Sequence, residues 1–352
     1  MTIVEGTEMT VPPTEPRHIA LRFTDGQVRE FDADPEEAIL TAAKRAGHTL
    51  VSQCTVGTCG TCVGTLIDGA AEMPAGQLSA LSKDEVSAGQ RLLCQTRALR
   101  DSSFDLEYPS TLLEAHPPVA FRAKISRLSW VADTVVELEL KVPKTIKFGF
   151  AAGQYCRIQV PGTEEWRSYS IASGEHERFR LTFLIRILPS GVMSDFLRDG
   201  ARTGQVLDLE GPLGGFVLEP APRPTILMAG GTGLAPMLSM LDRLRTVQPT
   251  PPILLLFGCN RPAELFHEDE LAARVSFIPT LEVRTVLMDN EGRDDLPAGT
   301  PLSVLHPGDV LPDTVAYLCG PPPMIRAAEE RFGELGLPAH DIRAEQFVPS
   351  EN

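Results

Sequence analysis

Four cysteines constrain this chain more than any other feature. Cys54, Cys59 and Cys62 stand in the spacing C-x4-C-x2-C within nine residues, and Cys94 follows in Leu92-Leu-Cys-Gln-Thr. That is the plant-type spacing for a 2Fe-2S cluster, which needs four thiolates around two irons. The loop Cys54-Thr-Val-Gly-Thr-Cys-Gly-Thr-Cys is built of small residues, and Gly57 and Gly60 let the backbone curl until its N–H groups reach the cluster sulfurs. A structural zinc site is the alternative. Zinc loops usually present paired CxxC units, however, and here one such pair is followed by a solitary cysteine. Cys156 and Cys259 lie in or beside apolar strand-like runs and read as small core hydrophobes.

A cluster loop occupies only part of 352 residues, a length that suits two or three domains, and three is the expectation. The formal charge of -15 disfavours nucleic acid and anionic membrane as partners and favours a basic protein surface. Seven cysteines are too few for a disulfide scaffold in a chain of this size, so a reducing cytoplasm is expected. The apolar runs fall far short of the ~20 residues that span a bilayer. Residues 1–17, with Glu5, Glu8 and Glu15 and no apolar stretch, read as a flexible tail rather than a signal peptide.

Three blocks follow. Residues 18–108 open with two alternating runs, Ile19-Ala-Leu-Arg-Phe and Val28-Arg-Glu-Phe, around the turn Thr24-Asp-Gly-Gln, which predicts a hairpin. Asp34-Pro-Glu-Glu supplies a cap, a first-turn proline and two acids before a helix over Ala38–Arg45 that Gly47 closes. Residues 109–118, ending in Pro117-Pro118, read as a linker with little packed structure. Across residues 119–220, short runs such as Val135–Leu140, Tyr155–Val160, Phe179–Ile187 and Val206–Leu209 predict an antiparallel barrel. Beyond the hinge Pro220-Ala-Pro-Arg-Pro, residues 221–352 alternate apolar runs with the helical patterns Pro236–Arg245 and Pro323–Leu335, which predicts a parallel sheet with crossovers.

Two pieces of the barrel block suit a flavin. In Trp166-Arg-Ser-Tyr-Ser a strand puts Arg167 and Tyr169 on one face, with the hydroxyls of Ser168 and Ser170 alternating. A guanidinium fits a pyrophosphate, a tyrosine ring stacks on an isoalloxazine, and Ser170 can hydrogen-bond near its redox-active nitrogen. In Leu188-Pro-Ser-Gly-Val-Met-Ser, the residues Gly191, Val192, Met193 and Ser194 form the first turn of a short helix whose N–H groups suit a diphosphate. Ordinary capping explains a serine there equally well.

The last block carries a nucleotide-binding pattern. Ile226-Leu-Met-Ala-Gly-Gly-Thr-Gly runs from a strand through Gly230, Gly231, Thr232 and Gly233 into a helix, a junction that can cradle phosphate. It departs from G-x-G-x-x-G because Pro236 takes the place of the last glycine, and a plain tight turn is the alternative. Cys319 and Gly320 end a second strand at the same sheet edge, and Glu345-Gln-Phe brings Phe347 toward that pocket or forms a C-terminal strand. Arg261 is placed to meet a 2'-phosphate and nearby Glu264 to oppose it.

At these residues the chain resembles the ferredoxin:NAD reductase family over roughly His18–Phe347, most closely the reductase components of benzoate and anthranilate dioxygenases. Trp166-Arg-Ser-Tyr-Ser, Phe183-Leu-Ile-Arg and Pro189-Ser-Gly-Val-Met-Ser carry the likeness. It implies a β-grasp 2Fe-2S ferredoxin domain, an antiparallel β-barrel FAD domain and an α/β parallel-sheet NAD domain, with FAD, a 2Fe-2S cluster and NADH as cofactors. By the same likeness Arg167, Ser168, Tyr169, Ser170 and Gly191 to Ser194 contact FAD, Gly230 to Gly233 and Gly320 the dinucleotide, and Cys319 the nicotinamide region. Phe347 lies near the isoalloxazine, and the chemical step falls to Ser170, Thr232, Cys319 and Glu345.

Two departures stand out. The N-terminal tail is longer than in those relatives, and the loop reads Cys54-Thr-Val-Gly where the family commonly has charged residues. The implied function is a cytoplasmic reductase that passes electrons from NADH through FAD and the cluster to a Rieske dioxygenase. A di-iron monooxygenase is the alternative partner, and a redox-sensing binding protein the alternative of another class. The seven histidines are scattered and suggest no metal-binding pair.

Overall fold

The computed structural model describes residues 15–52, 55–57, 60–74, 79–81, 83–177, 179–219 and 223–347. The expected tail therefore lies outside the described residues up to position 14, and so do Pro220–Pro222 of the expected hinge. The chain divides into two compact units, Met1–Leu50 with Cys54–Ser110, and Val51–Gln53 with Thr111–Asn352.

The first unit is a β-grasp. Its strands are β1 (Arg17–Arg22), β2 (Val28–Ala33), β3 (Val63–Asp68), β4 (Ala71–Glu72), β5 (Gln90–Leu92), β6 (Arg97–Ala98) and β7 (Ser102–Asp105), with helices α1 (Ile39–Arg45) and α2 (Lys83–Ser87). The main sheet runs β2-β1-β7-β3-β5, with β1 and β7 parallel. Alternation sets the register: Ile19 and Leu21 face inward from β1, Phe31 and Ala33 from β2, and the left-handed Gly26 at φ +78 turns the hairpin between them.

Helix α1 differs from expectation at its start. Asp34 does not cap it. Residues 34–37 form a separate turn, with the Glu37 N–H donating to the Asp34 carbonyl at 2.9 Å, and the cap position is Ala38. The first helical N–H groups already have acceptors: Ile39 N donates to the Thr96 carbonyl and Leu40 N to the Leu93 carbonyl, each at 2.9 Å. The segment around Cys94 thus does the work assigned to a side-chain cap. The C-terminus follows expectation, with His48 N bonding Ala43 O at 2.8 Å around the left-handed Gly47.

The supposed linker also carries structure. Thr111–Ala115 forms helix α3 with Leu112 buried, and Ser110 donates to the Asp25 carboxylate from both its hydroxyl (2.6 Å) and its N–H (2.9 Å). Leu112 has an apolar surface to cover, which a solvated linker would leave wet.

The second unit begins with an antiparallel barrel of β8 (Val119–Ala132), β9 (Val135–Lys141), β10 (Tyr155–Gln159), β11 (Trp166–Ser170), β12 (Arg180–Arg186) and β13 (Val206–Leu213), in the order β11-β10-β13-β8-β9-β12. A bridge from Ile171 to Phe183 joins the two ends, so the sheet closes on a core including Phe121, Leu138, Ile158, Phe183 and Leu209. A short helix, α4 (Val192–Asp195), follows β12 and runs into one π turn over Phe196–Gly200.

A five-stranded parallel sheet completes the unit, with β14 (Thr225–Gly230), α5 (Leu234–Leu244), β15 (Ile253–Cys259), α6 (Glu268–Phe277), β16 (Leu281–Leu287), β17 (Val315–Gly320), α7 (Pro322–Glu334) and β18 (Ile342–Gln346). The order β16-β15-β14-β17-β18 reverses direction at β14, a switch point where open parallel sheets bind ligands beyond their carboxyl ends. Strands β15 and β17 are buried at every residue because helices cover both faces: α5 packs on Leu227 and Leu255, α7 on Met228 and Leu318. Among the described residues no helix is long and apolar enough to cross a membrane.

Candidate functional site

The switch point collects the dinucleotide residues singled out from sequence. On β14 and the turn beyond it, Gly230 to Gly233 lead directly into α5. A Cβ on Gly233 would sit 2.2 Å from the Cys319 carbonyl oxygen, so only glycine lets the turn lie against the end of β17. Gly230 and Gly320 approach each other in the same way, with a Cβ on Gly320 falling 3.2 Å from Gly230 N. Gly231, by contrast, has φ +55 and open space where its Cβ would be. Thr232 is buried beside it.

Cys319 is fully buried, and burial raises its thiol well above the ordinary value. It pairs with Ala229 on one side and with Glu345 of β18 on the other. The Glu345 side chain therefore enters the same corner, where Oε2 accepts a hydrogen bond of 3.0 Å from the Ser170 hydroxyl of the barrel. Its other oxygen, Oε1, is buried with no hydrogen-bond partner among the described residues. Burial pushes this carboxyl up to about 7. Phe347 follows, half-buried, its N–H donating to the Gly320 carbonyl at 2.9 Å.

Strand β11 carries the other barrel residues. Arg167 and Tyr169 share a face, opposite Ile158 and Cys156 of β10, while Ser168 points the other way. Arg167 is held by the Glu165 carboxylate and donates to the Trp166 carbonyl at 3.1 Å. Tyr169 packs on the barrel core, and desolvation drives its phenol far above the usual value. At the start of α4, Gly191 precedes Val192, Met193 is buried, and the Ser194 hydroxyl is spent accepting from Leu188 N at 3.0 Å. What this turn offers an anion is backbone N–H rather than that serine.

In the first unit, Cys62 is buried and Cys94 half-buried, joined by the bond from Leu93 N to the Cys62 carbonyl at 2.9 Å. Cys54 and Cys59 lie outside the described residues. Among the described residues near them, Thr55, Gly57 and Gly60 have left-handed conformations, and Gln95 Nε2 donates to the Val56 carbonyl at 2.8 Å.

Comparison with known proteins agrees domain by domain. A family model for a 2Fe-2S iron-sulfur cluster binding domain matches residues 23–99, one for an oxidoreductase FAD-binding domain residues 122–218, and one for an oxidoreductase NAD-binding domain residues 227–330. The crystal structure of the Amycolatopsis cytochrome P450 reductase GcoB is 28% identical with a TM-score of 0.72, covering 94% of this chain and 99% of that one. Methane monooxygenase component C of Methylosinus trichosporium is 34% identical over 82% of this chain and 85% of that protein. The anthranilate 1,2-dioxygenase electron transfer component of Acinetobacter baylyi is 33% identical over 94% of this chain and 97% of its own length. This chain belongs to the ferredoxin:NAD reductase family.

As a ferredoxin:NAD reductase family protein it is an electron-transfer oxidoreductase with binding domains for a 2Fe-2S cluster, FAD and NAD. The residues fit those groups. A soft thiol pair in a tightly curled loop suits iron. The buried Glu345 Oε1, without a hydrogen-bond partner among the described residues, suits a polar ring system, and the glycine turn leading from β14 into α5 suits a phosphate.

The reductase also has site residues that single motifs do not announce. A cavity of about 360 Å³ at the carboxyl ends of β14 and β15 is lined by Gly230, Gly231 and Thr232, and also by Thr134 and Arg186 of the barrel and Glu264 beyond β15. Arg186 stands in a run noted only for its likeness, and Glu264 is noted only for its sign. A second cluster gathers two carboxylates around one of the scattered histidines. His267 sits with Nδ1 2.6 Å from Glu270 and Nε2 3.3 Å from Glu137 of β9, so it bridges the parallel-sheet domain and the barrel. No local pattern joins residues so far apart in the chain.

Proposed function

We propose that this reductase takes hydride from NADH at the β14 switch point and delivers electrons to the terminal oxygenase of a Rieske aromatic-ring-hydroxylating dioxygenase. The observation that carries the redox reading is the buried Ser170–Glu345 contact beside Cys319, with one carboxyl oxygen left over. In this reading residues 18–108 carry the cluster on Cys54, Cys59, Cys62 and Cys94, residues 119–220 carry FAD and residues 221–352 carry NADH.

FAD, when bound, accepts two electrons as hydride and releases them singly to the cluster. Arg167 neutralises its pyrophosphate together with the N–H groups of Gly191 to Ser194, while Ser168 and Ser170 supply hydroxyls and Tyr169 a stacking face. Gly230 to Gly233 and Gly320 hold the dinucleotide, with Thr232 and Cys319 against the nicotinamide. Phe347 covers the isoalloxazine and excludes water. Glu345, whose carboxyl burial pushes up to about 7, would hold a proton beside the Ser170 hydroxyl.

A dioxygenase partner is favoured by the near full-length match to the anthranilate dioxygenase component, and a di-iron hydroxylase is the second reading because of the 34% identity to methane monooxygenase component C. Reconstitution decides between them. The holoenzyme, NADH and a purified Rieske benzoate-type oxygenase are expected to give coupled diol formation, with a di-iron hydroxylase giving uncoupled NADH consumption. The reverse pattern would assign the second partner. Negligible NADH turnover with any acceptor would favour a sensor instead.

A further inference from the structure

A cavity of about 230 Å³ lies where the barrel meets α5 and α6, and it shares no lining residue with the cavity at the nucleotide turn. Among the described residues its walls carry five carboxylates and three arginines, an excess of two negative charges in a partly buried space. Two of those carboxylates, Glu137 of β9 and Glu270 of α6, flank His267, whose side chain is only 10% exposed.

The contacts around this imidazole leave one ring nitrogen over. Nδ1 lies 2.6 Å from Glu270 Oε2, and the other oxygen of that carboxylate is taken by Arg274. Nε2 lies 3.3 Å from Glu137 Oε2, whose sister oxygen accepts from Arg127 at 2.6 Å, yet Nε2 makes no hydrogen bond among the described residues. A buried polar atom in that state calls for a partner. Bonds of about 2.1 Å from a cation to a nitrogen and an oxygen, at a near-tetrahedral angle, set those two donors about 3.4 Å apart. The observed separation matches that span. Glu270 on Nδ1 completes a carboxylate–histidine pair of the kind that fixes the ring and raises its basicity toward a metal.

We infer that His267 Nε2 and Glu137 Oε2 form a dissociable site for zinc, with Glu270 as a positioning residue and water from the cavity completing the coordination. A nitrogen donor beside a carboxylate oxygen suits zinc rather than magnesium or calcium, which take oxygen donors. Zinc binds the neutral imidazole, so its arrival displaces a proton from that ring. Its two positive charges offset the excess of carboxylate in the cavity wall. With two protein donors the site exchanges its ion, unlike a closed structural zinc with four. Bound there, the cation ties a barrel strand to a helix of the parallel-sheet domain and stabilises the folded protein by mass action.

The test is calorimetric titration of tag-free holoenzyme, its iron-sulfur cluster intact, with zinc sulfate, and with magnesium sulfate as the contrast. One zinc per chain is expected, together with a higher melting temperature that a chelator reverses. Glu137→Gln and His267→Gln are each expected to weaken zinc binding at least ~tenfold and to abolish the thermal shift, and Glu270→Gln to weaken binding about tenfold. Zinc-edge X-ray absorption of the wild type keeps the inference testable if those variants do not fold. A first shell of nitrogen and oxygen with an imidazole signature is expected, whereas sulfur in that shell would assign the zinc to cysteines and overturn the inference. No zinc uptake, equal uptake of magnesium, or unchanged zinc affinity in folded His267→Gln or Glu137→Gln would overturn it as well.

Discussion

The Ser170 hydroxyl meets Glu345 Oε2 at 3.0 Å across 175 positions of sequence, joining the last residue of a barrel strand to the last strand of the parallel sheet. Because the carboxyl is 3% exposed and raised from 4.5 to about 7, the folded protein favours its neutral form. A folded-state value above the unfolded one means that this acid costs stability as pH rises from about 4.5 through 7. Glu345→Gln removes that cost. The variant is expected to gain about 2 kcal/mol relative to wild type between pH 5 and pH 8, measured by denaturant unfolding of the holoenzyme. NADH oxidation is expected to fall about a hundredfold, with loss of the decline in activity that the wild type shows as pH rises through about 7.

His267 carries a second pH dependence. Burial pulls its imidazole down, but the Glu137 and Glu270 carboxylates beside it outweigh this and raise it to about 9. Glu270 is raised by burial yet held down to about 2 by His267 and Arg274. The imidazolium contribution is complete below pH 6.5 and disappears as pH rises through 9; that of Glu270 is complete above 4.5 and disappears as pH falls through 2. Arg127 also faces the cluster, 2.6 Å from Glu137. His267→Gln is expected to lower stability at pH 7 by about 1–3 kcal/mol, and to flatten the decline in melting temperature between pH 7 and 10. An unchanged alkaline limb would refute the assignment.

Two glycines of the nucleotide turn separate sterics from backbone conformation. Gly233 has an ordinary φ of −59, so Gly233→Ala acts only through the 2.2 Å clash with the Cys319 carbonyl. It is expected to raise KM for NADH at least tenfold or to prevent flavin-loaded protein from accumulating. Gly231→Ala meets no atom but must hold φ +55, and is expected to cost about 1 kcal/mol with NADH binding kept within a few-fold.

In the cluster loop, Gly57 combines φ +87 with a Cβ position 2.2 Å from Gln95 Nε2. Gly57→Ala is expected to lower iron content per chain by half or more, read by colorimetric assay, with FAD content unchanged. Cys94→Ser is expected to abolish the cluster absorbance.

Sequence made some of this legible because the governing physics is local. Cysteine spacing, the period-two alternation of Ile19, Leu21 and Phe31, and the fully apolar runs of β14, β15 and β17 each speak through neighbouring residues. What escaped depends on partners elsewhere. Asp34 has the chemistry of a cap, but the carbonyls of Leu93 and Thr96 reach α1 first. Leu112 stands out as apolar within the linker, but that it is covered depends on a surface elsewhere in the chain. The Arg186–Glu264 contact and the His267 bridge arise only when barrel and parallel sheet meet, and no spacing rule encodes that meeting.

Anaerobic titration of the purified holoenzyme with NADH, following flavin and cluster absorbance separately, tests the electron path most directly. Both chromophores are expected to bleach with NADH, and far more slowly with NADPH at equal concentration. Bleaching of the flavin alone, or the absence of a cluster band, would contradict the assignment of Cys54, Cys59, Cys62 and Cys94 as the exit for electrons.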